Sequence, residues 1–173
     1  MPPPETRDIC SMEYQKRKYP RLKKYDYSLP GYYYVTIHNA QGAPELSSIE
    51  QHAGENGSVC LTVEGMIAQE QLLMIEERYD YAKIDKFVIM PTHIHAIIRL
   101  VDGLLPRAGL PEIVGAYKSI ATREMNRKMN TSGMTRFQRS FYDTVLRTEK
   151  VYQECWLYID GNPGKWLEKP EDI

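Results

Sequence analysis

Cysteine is scarce in this chain of 173 residues, which contains only Cys10, Cys60 and Cys155. An odd number of cysteines without paired spacing argues against both a disulfide framework and a structural zinc site. No run approaches the roughly twenty apolar residues that a membrane-spanning helix needs. Residues 1–5 also lack the apolar segment of a signal peptide. We therefore expect a cytoplasmic protein that has no membrane partner.

Neither sign of charge is in excess, because the chain has 22 Lys and Arg residues and 23 Asp and Glu residues, which gives a net charge of −1. A hydrophobic content of 42% and a charged content of 26% are values of globular proteins. The length fits one domain with a hydrophobic core. The chain has only three Phe and two Trp residues but thirteen Tyr residues. With tyrosine so common, a tyrosine alone says little about function.

The basic residues are unevenly distributed along the chain. One cluster lies near the start, and a second surrounds a predicted middle helix. A solvated basic tail is the commoner meaning of such a run, but we hypothesise that both clusters contact DNA phosphates. We expect residues 1–20 to form a flexible basic tail and residues 21–173 to form a single domain. The candidate DNA-binding residues are Lys16, Arg17, Lys18, Arg21, Lys23, Lys24, Lys118, Arg123, Arg136 and Arg139.

Two histidines, His93 and His95, lie in a stretch that is apolar and β-branched on both sides of Pro91. Proline cannot donate to a central β-ladder, so Pro91 predicts a turn between two strands. Side chains alternate along a strand, which places both imidazoles on one face, where they can reach a single metal ion or phosphate. Spacing alone leaves a metal or catalytic role and a solvent-facing pair equally open. The other histidines, His38 and His52, are scattered.

A second candidate segment begins at Thr148 and predicts a helix that ends at Pro163. Tyr158 and Asn162 have i, i+4 spacing, so their side chains lie one turn apart on one helix face. Asp160 points to the opposite side. The plainer interpretation is a core tyrosine and an asparagine that caps the helix end.

The remaining pattern predicts an α+β sandwich, in which helices pack on an antiparallel sheet. We predict loops over 39–57 and 129–133. The predicted strands are 31–38, 58–64, 83–90 and 94–100, and the predicted helices are 66–79, 111–128 and 149–162.

The chain resembles the HUH single-tyrosine transposases, in the branch of the REP-associated tyrosine transposases. The motifs that carry the resemblance are Val88–His95 and Tyr158–Trp166. Further matching blocks extend it from about Arg21 to Trp166, and these are Tyr25–Ser28, Gly31–Ile37, Val114–Ser119 and Gln138–Asp143. The resemblance implies a ferredoxin-like antiparallel sheet with helices packed on it, which is the HUH endonuclease fold.

The resemblance also implies an activity, a metal-dependent cutting and rejoining of single-stranded DNA near hairpins. Tyr158 is then the nucleophile that forms a 5′-phosphotyrosine link. His93, His95 and Asn162 would hold a divalent metal, Mg²⁺ or Mn²⁺, and single-stranded DNA with a palindromic hairpin would be the partner. The family leaves open whether the enzyme is a homodimer and whether the tyrosine acts on its own subunit.

The chain departs from the family at two positions, Thr92, where the family usually has asparagine, and Thr144, where it commonly has histidine. Tyr142 is a rival nucleophile that we interpret as a packing residue or a DNA contact. One alternative function is a domesticated hairpin-binding protein that does not cleave DNA. Another is a metal-dependent hydrolase of small phosphate esters, which would not need Tyr158.

Overall fold

The computed structural model describes residues 21–51, 57–105 and 107–168. The described residues form six strands and four helices. The elements in order are β1 Gly31–His38, β2 Ser47–Glu50, β3 Ser58–Leu61, α1 Val63–Leu73, α2 Ile75–Arg78, β4 Ala82–Ile89, β5 His93–Leu100, α3 Leu110–Met129, β6 Tyr142–Leu146 and α4 Glu149–Leu167.

Four strands form the main sheet, in the order β4-β5-β1-β6, and every neighbouring pair is antiparallel. Helices connect β1 to β4 and β5 to β6, and in each case one strand lies between the two connected strands. This interleaved pair of strand–helix–strand units is the ferredoxin-like arrangement. The predicted α+β class and ferredoxin-like sheet are confirmed.

The hairpin predicted at Pro91 is present between β4 and β5. Ile89 pairs with Ile94, and the Met90 amide donates to the His93 carbonyl at 2.9 Å. The turn therefore places His93 at the first position of β5.

The segment before α2 differs from the prediction. The predicted loop over 39–57 contains β2, which pairs with β3 as a separate two-stranded sheet. The predicted strand over 58–64 is shorter, because the Thr62 hydroxyl accepts from the Gly65 amide and starts α1. The predicted helix over 66–79 is two helices, α1 and α2, that meet at Met74.

The prediction that the last helix ends at Pro163 is wrong, since α4 continues to Leu167. Proline removes one backbone donor from a helix interior. Here Asn162 and Pro163 are buried, and this packing favours continuation of the helix. Asn162 therefore lies inside the helix and does not cap it, and Trp166 lies one turn beyond it.

The main sheet has two different faces. We call the face covered by α1 and α3 the core face, because Val35, Ile37 and Ile98 are fully buried there. The opposite face, which we call the α4 face, lies beneath α4. Its apolar cluster contains Ile97 from β5 and Cys155 and Ile159 from α4.

Candidate active site

His93 and His95 lie together on the α4 face. Their ring centroids are 4.5 Å apart, with the planes 72° from each other. Ile97, two residues further on, packs in the apolar cluster beneath α4, whereas Ile94 and Ile98 belong to the core face. The alternation predicted for this strand is confirmed.

Two residues of β1 hold the His95 ring. Thr36 is its partner in the strand register, and its Oγ1 lies 3.0 Å from Nδ1 of His95. The Tyr34 hydroxyl lies 2.7 Å from the same nitrogen, and the two rings stack at 5.5 Å. Because both contacts are to Nδ1, Nε2 is the ring nitrogen that remains to bind a ligand.

His95 is suited to bind a cation in its neutral form. Burial lowers the pKa of His95 well below its usual range, and the neighbouring His93 and His38 lower it further. At neutral pH the ring is therefore uncharged, which is the form that ligates metals. The Nδ1 atom of His93 contacts a residue of the turn, since the Thr92 hydroxyl lies 3.2 Å from it. Thr92, where the resemblance implies asparagine, thus contacts the histidine directly.

His38 also belongs to this group, and our sequence reasoning missed it. It pairs with His93 in the register between β1 and β5, and the two rings are 5.5 Å apart. Burial lowers its pKa below the ordinary histidine value. The alternation of β1 already placed His38 on the side of Tyr34 and Thr36, but only the pairing of β1 with β5 brings it to His93.

Helix α4 brings the candidate nucleophile to the histidines. The Tyr158 ring lies 5.5 Å from His95, and the Trp166 ring lies 6.0 Å from His93. Asn162 lies one helical turn from both Tyr158 and Trp166, on the same face of α4, and it is 6% exposed. Asp160 lies on the other side, where it pairs with Lys86 at 2.6 Å. Its predicted exclusion from the site is therefore confirmed.

One chain thus brings together all four predicted site residues. Within residues 21–51, 57–105 and 107–168, no three His, Cys, Asp or Glu side chains are grouped as a metal site. The third protein donor would then be the amide oxygen of Asn162, as predicted. Two imidazoles and one amide suit a divalent cation that keeps open positions for water and phosphate. The residues present therefore fit the predicted metal, although their roles stay predictions.

The prediction that Arg136 contacts DNA is wrong, because this side chain is only 3% exposed. Its Nε donates to Asn126 Oδ1 at 2.9 Å, and its Nη1 lies 3.5 Å from a carboxylate oxygen of Glu64. A guanidinium bound within the protein in this way holds α3 against α1 and cannot reach a phosphate.

Lys118 also makes contacts within the protein. Its ammonium donates to the carbonyls of Gln138 and Arg139 at 2.7 and 2.8 Å, which holds the loop before β6. Arg21 lies over the Phe141 ring at 4.6 Å. For both residues a DNA contact stays a prediction. The same holds for the exposed residues Lys23, Lys24, Arg123 and Arg139, whereas Lys16, Arg17 and Lys18 lie outside the described residues.

No protein-family model matches this sequence. A relative from Haemophilus influenzae strain Rd, an uncharacterized protein, is 27% identical over an aligned length of 164 residues. The match covers 84% of this chain and 87% of that protein. Among solved structures, a REP-associated tyrosine transposase bound to a REP hairpin is similar with a TM-score of 0.57 at 16% identity. The match covers 84% of this chain and 74% of that one.

A second solved structure, a candidate transposase from Deinococcus radiodurans R1, matches with a TM-score of 0.49 at 14% identity, over 81% of this chain and 95% of that one. The first of the two structural matches shows that this chain has the fold of the REP-associated tyrosine transposase, the HUH fold expected from the sequence motifs.

Proposed function

We propose that this protein is an HUH tyrosine transposase of the REP-associated branch, a metal-dependent endonuclease that cuts and rejoins single-stranded DNA. The observation that carries the proposal is the position of Tyr158, whose ring lies 5.5 Å from the buried ring of His95. Two histidines on the α4 face of the sheet, together with a tyrosine and an amide from α4, are the groups that such a reaction needs. The similarity of the fold to a REP-associated tyrosine transposase supports it.

The reaction forms one bond and breaks another. The Tyr158 oxygen attacks the phosphorus, its proton passes to solvent, and a new bond joins the tyrosine oxygen to the phosphate. The bond from phosphorus to the 3′-oxygen breaks, and this oxygen takes up a proton to become a 3′-hydroxyl. Because the 5′-phosphotyrosine link is also a phosphodiester, attack by another 3′-hydroxyl can rejoin DNA without an external energy source.

The chain's own residues position the reacting groups. His93, His95 and Asn162 would hold Mg²⁺ or Mn²⁺, which would polarise the phosphate and favour loss of the tyrosine proton. Tyr34 and Thr36 fix the His95 ring through Nδ1, which leaves Nε2 as the nitrogen that would bind the cation. Lys165 lies 4.9 Å from the Tyr158 ring centroid and adds positive charge beside the attacked phosphate.

The proposed partner is single-stranded DNA that carries a hairpin. The structural relative is bound to a REP hairpin, and the exposed basic residues of this chain offer phosphate contacts. A single chain contains all four site residues, so this arrangement needs no second subunit. Within the described residues, no helix has both the length and the apolar character needed to cross a bilayer.

The test is covalent adduct formation on labelled hairpin DNA taken from the sequence beside the gene. With Mn²⁺ we expect a DNA–protein band on a denaturing gel, which a chelator removes and added Mn²⁺ restores. Tyr158→Phe should abolish the band and spare binding. Tyr152→Phe, a change on the same helix whose hydroxyl contacts Asp85, is the matched control and should keep it.

Mapping of the adduct discriminates between the candidate nucleophiles and the alternative functions. Peptide sequencing should place the DNA on Tyr158, and a link at Tyr142 would contradict the proposal. Tight hairpin binding without any adduct would favour the domesticated binding protein. Hydrolysis of a small phosphate ester that survives Tyr158→Phe would favour the hydrolase.

A further inference from the structure

Tyr142 presents an exposed aromatic ring next to the candidate active site. Its side chain is 43% exposed, although both chain neighbours, Phe141 and Asp143, are buried. It lies outside the apolar cluster beneath α4. The ring is therefore exposed on a strand of the main sheet.

The backbone around Tyr142 is anchored on both sides. The buried Asp143 accepts a hydrogen bond of 2.7 Å from the Tyr27 hydroxyl, and Tyr142 itself pairs with Thr36 of β1. On the other side, Lys118 holds the loop before β6 through its carbonyls. A ring on such a support loses little conformational entropy when a ligand packs against it.

A row of aromatic rings connects this ring to the candidate metal ligands. Trp166 lies 6.0 Å from His93, His93 lies 5.5 Å from His38, and His38 meets Tyr142 edge to face at 5.8 Å. Only the His38 ring separates Tyr142 from His93. The two ring-centroid distances that make up this separation are 5.5 and 5.8 Å.

We propose that Tyr142, supported by His38, is a stacking subsite for one unpaired nucleobase next to the phosphate that is cut. This inference rests on the proposed function and adds a determinant of strand specificity to it. An unpaired base offers its π-face to a tyrosine, whereas a base in a duplex is already stacked on both sides. The subsite therefore favours a single-stranded flank over the hairpin stem, and it acts through the ring and not through the hydroxyl.

The test measures binding alone, in protein that carries Tyr158→Phe so that cleavage does not interfere. The probe is the hairpin oligonucleotide from beside the gene, with the fluorescent base 2-aminopurine moved through the single-stranded flank. We expect quenching by stacking at one flank position. Tyr142→Ala and Tyr142→Leu should remove this quenching and weaken binding about 5- to 100-fold, whereas Tyr142→Phe should retain both.

Two controls make the result specific. An oligonucleotide reduced to the hairpin stem should bind all the variants equally, and Leu157→Ala, a change at an exposed residue of α4, should bind like the parent. Equal quenching and affinity in Tyr142→Phe and Tyr142→Ala would overturn the subsite alone. A parent that binds no single-stranded flank would overturn both the subsite and the proposed function, and adduct formation by the wild type tests the function separately.

Discussion

The two faces of the main sheet are built from the same strands but differ in burial and chemistry. On the core face, Val35, Ile37 and Ile98 are fully buried beneath α1 and α3. On the α4 face, His95 and Ile97 are also buried, but Thr36, His38 and His93 are only partly buried. The side chains of the core face stabilise the fold through apolar contact, whereas those of the α4 face hold a reactive arrangement. Period-two alternation lets neighbouring residues of one strand serve both purposes.

The largest effect is expected at His95, on the α4 face. His95→Ala removes a proposed metal ligand, and we expect adduct formation to fall by about a hundredfold or more, since even residues that support a ligand contribute 10- to 100-fold. Gel assays at increasing Mn²⁺ measure the loss. Hairpin binding in the same preparation should stay near that of the wild type. Full activity in His95→Ala would remove this residue from the site.

Ile97 and Ile98 sharpen the comparison because they are chain neighbours on opposite faces and both are fully buried. Each change to Ala should lower the free energy of unfolding by about 2 to 5 kcal/mol, measured by urea denaturation. Ile97 contacts the cluster that includes Cys155 and Ile159 of α4, so Ile97→Ala should also reduce adduct formation in the folded protein. Ile98→Ala should not. Equal activity loss in both variants would contradict the division between the faces.

Cys155, which is buried on the α4 face, makes the free energy of unfolding depend on pH. Burial raises the pKa of its thiol to about 11, whereas the thiol of the unfolded chain ionises at a lower pH. Between these two values the unfolded state loses the proton first, so the stability contribution is complete at neutral pH and is lost as the pH rises towards 11. Wild type should therefore lose about 2 to 3 kcal/mol more than Cys155→Ala between pH 8 and 11, by urea denaturation. Parallel curves would refute the buried, protonated thiol.

The smallest effect is expected at the ion pair that joins α4 to β4. Lys86 lies 2.6 Å from Asp160 and 3.7 Å from the centroid of the Trp156 ring. The Asp160 carboxylate is largely exposed, so Asp160→Ala should lower the free energy of unfolding by less than about 1 kcal/mol. A double-mutant cycle with Lys86→Met isolates the pair. A coupling above about 2 kcal/mol would show that this pair, and not the apolar cluster, holds α4 in place.

Local sequence patterns determined a large part of this protein. Alternation along the strand placed His93 and His95 on one face, and Pro91 predicted the turn before them. The i, i+4 spacing placed Tyr158 and Asn162 on one face of a helix. These features depend on residues that are close in sequence, and the period of a strand or helix is the same in every protein. The α+β class follows from the same information, whereas the predicted strands did not include β2 or β6.

Only the tertiary structure decided which distant residues meet. His38 reaches His93 because β1 pairs with β5 in one register, and a shift by one residue would turn it to the core face. Arg136 is buried because α3 packs on α1, and its basic character alone predicted the opposite. Helix α4 passes Pro163 because its face packs on the sheet. Strand register and helix packing depend on contacts between segments far apart in the chain, and local patterns carry no information about those contacts.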